Sequence, residues 1–249
     1  MFDLKKLERN KKKSQQTIQN SSFFQFINND LIDRIQPINR DFKEILIIQP
    51  SIESLLTLPL KEKYPNHNLS ITHQYTNLQK NKFDLIIFPM GLHWVSDVQG
   101  FLCNAHQALQ KDGILVSNFP GGGSLNKLRY KLIEVESINS KPHTPHISPF
   151  IQFEQVVPLL QQARFIENII DMEKLELEYD SALDLMKMLK MIGESNALQS
   201  SISYSINKKM YQELKNSTEK LFTDQINLIT FVSSPTKSSI KLKSEHFHG

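Results

Sequence analysis

Three short polar clusters carry the side chains with which this sequence could do chemistry. His93-Trp94, followed by Asp97, puts an imidazole that titrates near neutral pH close in sequence to a carboxylate. Glu194-Ser195-Asn196, directly after Gly193, sets one acid among neutral hydrogen-bonding groups. An ionised carboxylate of this kind can take a cation through two parallel hydrogen bonds. Gly121-Gly122-Gly123 with Arg129 joins a run of bare backbone, readable as an anion nest or as a hinge, to a permanent cation. His143 and His146 stand at HxxH spacing. No acid lies near them in sequence and Pro142, Pro145 and Pro149 stiffen the run, so a rigid loop is expected and no metal. Trp94, the only tryptophan, reads as a packing anchor, with His93 either lining a site or capping that anchor. Cys103, beside Leu102 on an apolar helical face, reads as a buried, inert thiol.

The elements that must position these groups alternate along the chain. Leu4, Leu7 and then Phe23, Phe26, Ile27, Leu31 and Ile35 have helical spacing up to Pro37, which predicts a helical N-terminal cap over residues 1–40. Glu44–Ile48, Phe83–Phe88 and Ile114–Val116 are short apolar runs of the kind found in strands buried on both faces. Between them lie a short helix interrupted near Pro59, a weak strand Leu69–Thr72, and a helix over Val98–Leu109 closed by an Asp112-Gly113 turn. Helices are expected over Leu125–Val135, Phe153–Ala163, Ala182–Ile192 and Lys208–Phe222, with strands at Phe165–Ile170 and Ile226–Val232. Such alternation indicates an α/β chain with a doubly wound, mostly parallel sheet over residues 41–235 and a flexible tail over 236–249.

Composition narrows the class. The chain has 249 residues, 39% hydrophobic and 22% charged, and no apolar run of membrane-spanning length, so a membrane span is excluded and peripheral association is the most that remains. One cysteine cannot form an internal disulfide or a cysteine-based zinc cage, which favours a reducing compartment. The charge excess of +3 is gathered mainly at Lys5, Lys6, Arg9 and Lys11 to Lys13, which reads as a solvated helix, with no nucleic acid expected. No apolar segment of signal-peptide type follows these residues, so the expected address is the bacterial cytoplasm or an organelle with its own genome. Of eight glycines the first is Gly91, so no glycine-rich nucleotide loop precedes it.

Several strings, in order, carry a resemblance: Phe83-Asp84-Leu85-Ile86-Ile87, Leu92-His93-Trp94-Val95-Ser96-Asp97, Leu109 through Gly113, Gly121 to Arg129, Pro145-His146-Ile147-Ser148-Pro149-Phe150 and Gly193-Glu194-Ser195-Asn196. Together they resemble the methyltransferase-like family that contains mitochondrial complex I assembly factor 5, an arginine hydroxylase on a methyltransferase fold, with BioC-type carrier-protein methyltransferases as more distant relatives. The resemblance implies a Rossmann-like sheet of the class I S-adenosylmethionine-dependent methyltransferases, with its ligand at the carboxyl ends of the strands.

It implies cofactor contacts at Gln49, Pro50, Ser51, Pro89 and Leu92, catalytic roles for His93, Asp97 and Glu194, and substrate contacts at Trp94, Gly122, Arg129, His146, Ser148, Ser195 and Asn196. Glu194 or Asp97 would pair with a substrate guanidinium and His93 would handle a proton. The sequence departs from the family after the first strand, where Ile48-Gln49-Pro50-Ser51 replaces an acidic residue and a glycine-rich turn. The interval to Phe83 is shortened, and the strand ending in His73 and Gln74 brings no acid for a ribose. Weak or absent affinity for S-adenosylmethionine is therefore expected.

Three functional readings remain open. The first is a complex I assembly factor acting on, or binding, an arginine of a peripheral-arm protein subunit. The second is a methyltransferase with an atypical cofactor loop, and the third a non-catalytic protein-binding pseudo-methyltransferase.

Overall fold

The computed structural model of the protein describes residues 1–49, 51–139, 141, 145–199, 207–215, 220–237 and 239–242. One sheet of six strands has the order β2-β1-β3-β4-β6-β5. Its strands are β1 (Glu44–Ile48), β2 (Asn68–Thr72), β3 (Phe83–Pro89), β4 (Leu109–Pro120), β5 (Glu167–Tyr179) and β6 (Phe222–Ser234). β1 pairs in parallel with β2 on one side and β3 on the other, and β3 pairs in parallel with β4. The chain thus leaves β1 in one direction and resumes in the other, which makes the carboxyl ends of β1 and β3 the switch point where ligands of such sheets lie.

The chain divides into two compact units. The first, Ser22–Phe119 with Phe153–Met172 and Ile229–Gly249, holds α2 (Ser22–Ile35), α3 (Glu53–Lys63), α4 (Val98–Ala108) and α6 (Phe153–Gln162). Its core packs Ile45 and Ile47 of β1, Leu85 and Ile87 of β3, and Ile114 and Val116 of β4 against Leu31 and Ile35 of α2 and Leu56 and Leu60 of α3. Each such side chain contributes about 1.5–3 kcal/mol of burial. Asp84 fastens the start of β1 by accepting from the amides of Lys43 (2.7 Å) and Glu44 (3.0 Å).

The second unit, Met1–Ser21 with Pro120–Gln152 and Glu173–Leu228, is mainly helical: α1 (Leu4–Ser14) packs on α7 (Ala182–Met191), and α8 (Lys208–Lys215) on α5 (Asn126–Ile138) and α7. Asp3 caps α1 by accepting from the amide of Lys6 at 2.9 Å, and Ser181 caps α7. The N-terminal helices are therefore split, α1 in the helical unit and α2 in the sheet unit.

The doubly wound sheet with Ile45–Ile48, Phe83–Phe88 and Ile114–Val116 at adjacent positions agrees with the sequence reading, as does the shortened first half, since residues 73–82 join β2 to β3 without a helix. Five details differ, the first being that Phe222, expected to end the last helix, instead opens β6. α3 runs through Pro59 without a break, because Leu56 and Leu60 on either side are fully buried and tertiary packing outweighs the lost amide. Asp112-Gly113 lies inside β4: the register jumps from Phe83–Leu109 to Leu85–Ile114, so Gln110 to Gly113 bulge out of the ladder. β5 extends well beyond Ile170, its exposed polar residues having hidden the strand from an apolar-run criterion. At the C-terminal end, Ile240 is buried in the core and Leu242 bridges Ile38, while 243–249 lie outside the described residues. No helix among the described residues is long and apolar enough to cross a membrane.

Candidate functional site

At the carboxyl ends of the strands in the sheet unit, Gln49 takes a left-handed backbone (φ 50°). Its amide donates to the Thr72 carbonyl (2.7 Å) and its side chain to the His73 carbonyl (2.7 Å). Ser51 is half-buried, and Pro50 lies outside the described residues. No bare backbone follows β1, and β2 ends in Thr72, His73 and Gln74 with no carboxylate. The residues present do not form the glycine cradle and acidic ribose clamp that S-adenosylmethionine would need in the usual arrangement.

After β3, Pro89, Leu92, His93 and Trp94 are all buried, and the His93 and Trp94 rings lie 5.1 Å apart. Trp94 and His93 thus pack against each other. Asp97 is exposed and has a structural duty: it caps α4, accepting from the amide of Gly100 at 2.8 Å. Cys103 is half-buried, more open than the sequence suggested.

The same unit holds a polar group that sequence reasoning missed. Buried Asp30 of α2 accepts from the Thr230 hydroxyl (2.7 Å), the Asn118 amide (3.3 Å) and Arg34 (3.2 Å). Asn118 also donates to the Ile27 carbonyl and receives the Met90 amide, which ties the ends of β3 and β4 together. Arg34 pairs with Asp171 at 2.6 Å and holds that carboxyl below its ordinary range. An acid within an amphipathic helix gives no signal of burial in a single sequence.

In the helical unit three of the strings that carry the resemblance meet. Gly122 donates its amide to the Ile151 carbonyl (2.8 Å) and accepts from Asn227 (2.7 Å). Arg129 donates to the carbonyls of Ile147 (3.1 Å) and Ser148 (3.3 Å), so its fork holds the chain's own loop. Asn196 donates to the Pro145 carbonyl (2.9 Å), and the Ser195 carbonyl receives Asn10 (3.2 Å). The Ser148 hydroxyl is enclosed without a hydrogen-bond partner among the described residues. His146 does have an acidic neighbour: Nε2 meets Oε1 of buried Glu136 at 2.5 Å. Glu136 precedes it by ten positions and was invisible to local spacing. His143 lies outside the described residues, and no cluster of metal-ligating side chains occurs among them.

The start of α5, where the glycine run left open an anion nest or a hinge, is taken by Asp224 of β6, which accepts from the Leu128 amide at 2.7 Å. Glu194, half-buried, follows Gly193, whose backbone is left-handed (φ 82°). The Leu92–Asp97 string belongs to the sheet unit.

This sheet order, with its loops at the switch point, is that of a methyltransferase fold. A family model described as a methyltransferase domain matches residues 37–117. The provisionally named methyltransferase RP459 of Rickettsia prowazekii is 48% identical over 178 residues, 72% of this chain and 78% of that protein. The arginine-hydroxylase NDUFAF5 of Mus musculus is 33% identical over 144 residues, 58% of this chain and 42% of that protein. A malonyl-[acyl-carrier protein] O-methyltransferase of Xylella fastidiosa is 26% identical, over 66% of this chain and 56% of its own length.

A crystal structure assigned provisionally as a methyltransferase, from Bacillus halodurans C-125, superposes with a TM-score of 0.50 at 13% identity, covering 83% of this chain and 99% of that one, a likeness of fold alone. The chain belongs to the methyltransferase-like family that includes RP459 and NDUFAF5. Its matched region spans about half or less of the mouse NDUFAF5 length.

Proposed function

We propose that this protein recognises an arginine-bearing segment of a protein substrate, with Glu194 as the acceptor of the guanidinium. The observation that carries the reading is the hydrogen-bonded convergence of Arg129, the Pro145–Ser148 loop and Asn196 in the helical unit. These are the segments through which the sequence resembles its family, and the relationship to an arginine-hydroxylase supports arginine as the target. A peripheral-arm subunit of respiratory complex I is the candidate partner. In this reading Arg129 and Asn196 fix the Pro145–Ser148 loop, and Glu194 holds the charge.

No step is routed through S-adenosylmethionine, because Gln49 and the acid-free end of β2 do not supply its contacts. The test is calorimetric titration with S-adenosylmethionine, S-adenosylhomocysteine and paired peptides carrying arginine or citrulline. Binding of the arginine peptide alone, weakened roughly 10- to 150-fold by Glu194→Gln, is expected, corresponding to about 1.5–3 kcal/mol for hydrogen bonds to a charged group. Low-micromolar cofactor binding with no preference for arginine would replace this reading by that of an ordinary methyltransferase.

A further inference from the structure

The segment that carries Glu194 is fastened along its length to the N-terminal helix. The Asp3 amide donates to the Ala197 carbonyl (2.8 Å), Asn10 to the Ser195 carbonyl (3.2 Å), and the Thr17 hydroxyl to the Met191 carbonyl (2.7 Å). Gly193 lies so close to α1 that a Cβ there would come within 3.3 Å of the Lys11 Cα. Inside this contact the Lys11 ammonium nitrogen is fully enclosed and has no hydrogen-bond partner among the described residues. Burial holds it below the ordinary lysine range, and the charge of Glu194 pulls the other way. On the same helix Lys12 and Lys13 are exposed, and on α7 Asp184 is engaged by Ser181 and Lys187, so Glu194 is the acid that acts on Lys11.

We infer that Lys11 is a positioning residue, the internal cation with which an incoming guanidinium must compete for Glu194. This rests on the reading of Glu194 as the arginine acceptor. Two cations beside one carboxylate in an enclosed contact repel each other, so a bound guanidinium expels the Lys11 proton. Arginine recognition therefore releases a proton and strengthens as pH rises.

The probe is N-acetyl-arginine amide, titrated from about pH 6 to 9.5 into the wild type, Lys11→Met and Glu194→Gln. Wild-type affinity should rise with pH, by up to about tenfold per unit where a full proton is released. Lys11→Met should bind more tightly at neutral pH with a flatter profile. Identical profiles in wild type and Lys11→Met, with binding still weakened by Glu194→Gln, would overturn the role of Lys11 alone. No binding to either protein at any pH would overturn the arginine reading and this inference with it. A ligand-free check is the ¹³C NMR titration of the Lys11 ε-carbon. Its midpoint should fall in Glu194→Gln, and an unmoved midpoint would overturn the pairing.

Discussion

The side-chain amide of Asn196 donates to the Pro145 carbonyl, joining segments 51 positions apart, while its Oδ1 accepts from the Leu198 amide at 2.9 Å. Asn196→Ala removes both bonds and should lower stability by about 1–3 kcal/mol. Asn196→Asp keeps the acceptor for Leu198 and should fall between. Urea unfolding ranks the three proteins, and an Asn196→Asp variant as stable as the wild type would show that the Pro145 link contributes nothing.

Asp30 lies under the ends of β3 and β4 with the Thr230, Asn118 and Arg34 donors converging on it. Asp30→Leu leaves the Thr230 and Asn118 donors without their acceptor in the core and should cost roughly 3–5 kcal/mol, the range for breaking a buried charged pair from one side. Thr230→Val combined with Asp30→Asn should show a coupling energy of about 0.5–3 kcal/mol in a double-mutant cycle. Additive losses would mean that the two residues act independently.

The strands at the centre of the sheet were legible because β1 and β3 are buried on both faces and consist almost wholly of apolar residues. β4 was legible only from Ile114 onward, since Gln110 to Gly113 are a polar bulge that imitates a turn. Pro59 misled because a proline's local cost is readable from sequence, whereas the burial of Leu56 and Leu60 that offsets it is not. Among site residues, the loops that bring Arg129, His146 and Asn196 together were found through ordered strings. The Glu136–His146 pair, the Asp224 cap on α5 and the Lys11 environment depend on contacts between distant segments, which a single sequence does not encode locally.

Burial holds Asp84 above the ordinary carboxylate range, although the Lys43 and Glu44 amides and the charge of Arg40 pull it down. The folded chain thus keeps this proton to higher pH than the unfolded chain does. The contribution of Asp84 is fullest below its unfolded pKa, close to 3.8, and is lost as pH rises through the folded one. Asp171, lowered mainly by its hydrogen bond to Arg34, has the opposite slope at still lower pH. Any stability advantage of wild type over Asp84→Asn should therefore shrink over the interval in which pH rises above about 4 in urea titrations. An advantage that grows over this interval would reverse the assignment.

Gly193 combines a left-handed backbone with a position where a Cβ would lie 2.6 Å from the Ser14 hydroxyl oxygen. Gly193→Ala should cost more than about 1 kcal/mol, since strain and close contact add. Ser14→Ala in the same chain should restore only part of it, because the backbone strain remains. Thermal melts of the single and double variants test this, and full restoration would place the whole cost in the side-chain contact.

Asp97 allows the capping role and a substrate role to be separated by two substitutions. Its Oδ1 accepts the Gly100 amide, and a Cβ at position 100 would fall 2.1 Å from its Oδ2, so the approach of cap to helix depends on that glycine. Asn is as good a cap as Asp, whereas Ala cannot accept the amide. Asp97→Ala should therefore lose about 0.5–2 kcal/mol of stability and Asp97→Asn very little. A substrate role as well requires Asp97→Asn to weaken binding of an arginine peptide by about 1.5–3 kcal/mol while its melting temperature stays near that of the wild type. Unchanged affinity in Asp97→Asn would restrict this acid to holding α4, and the charge recognition would then rest on Glu194.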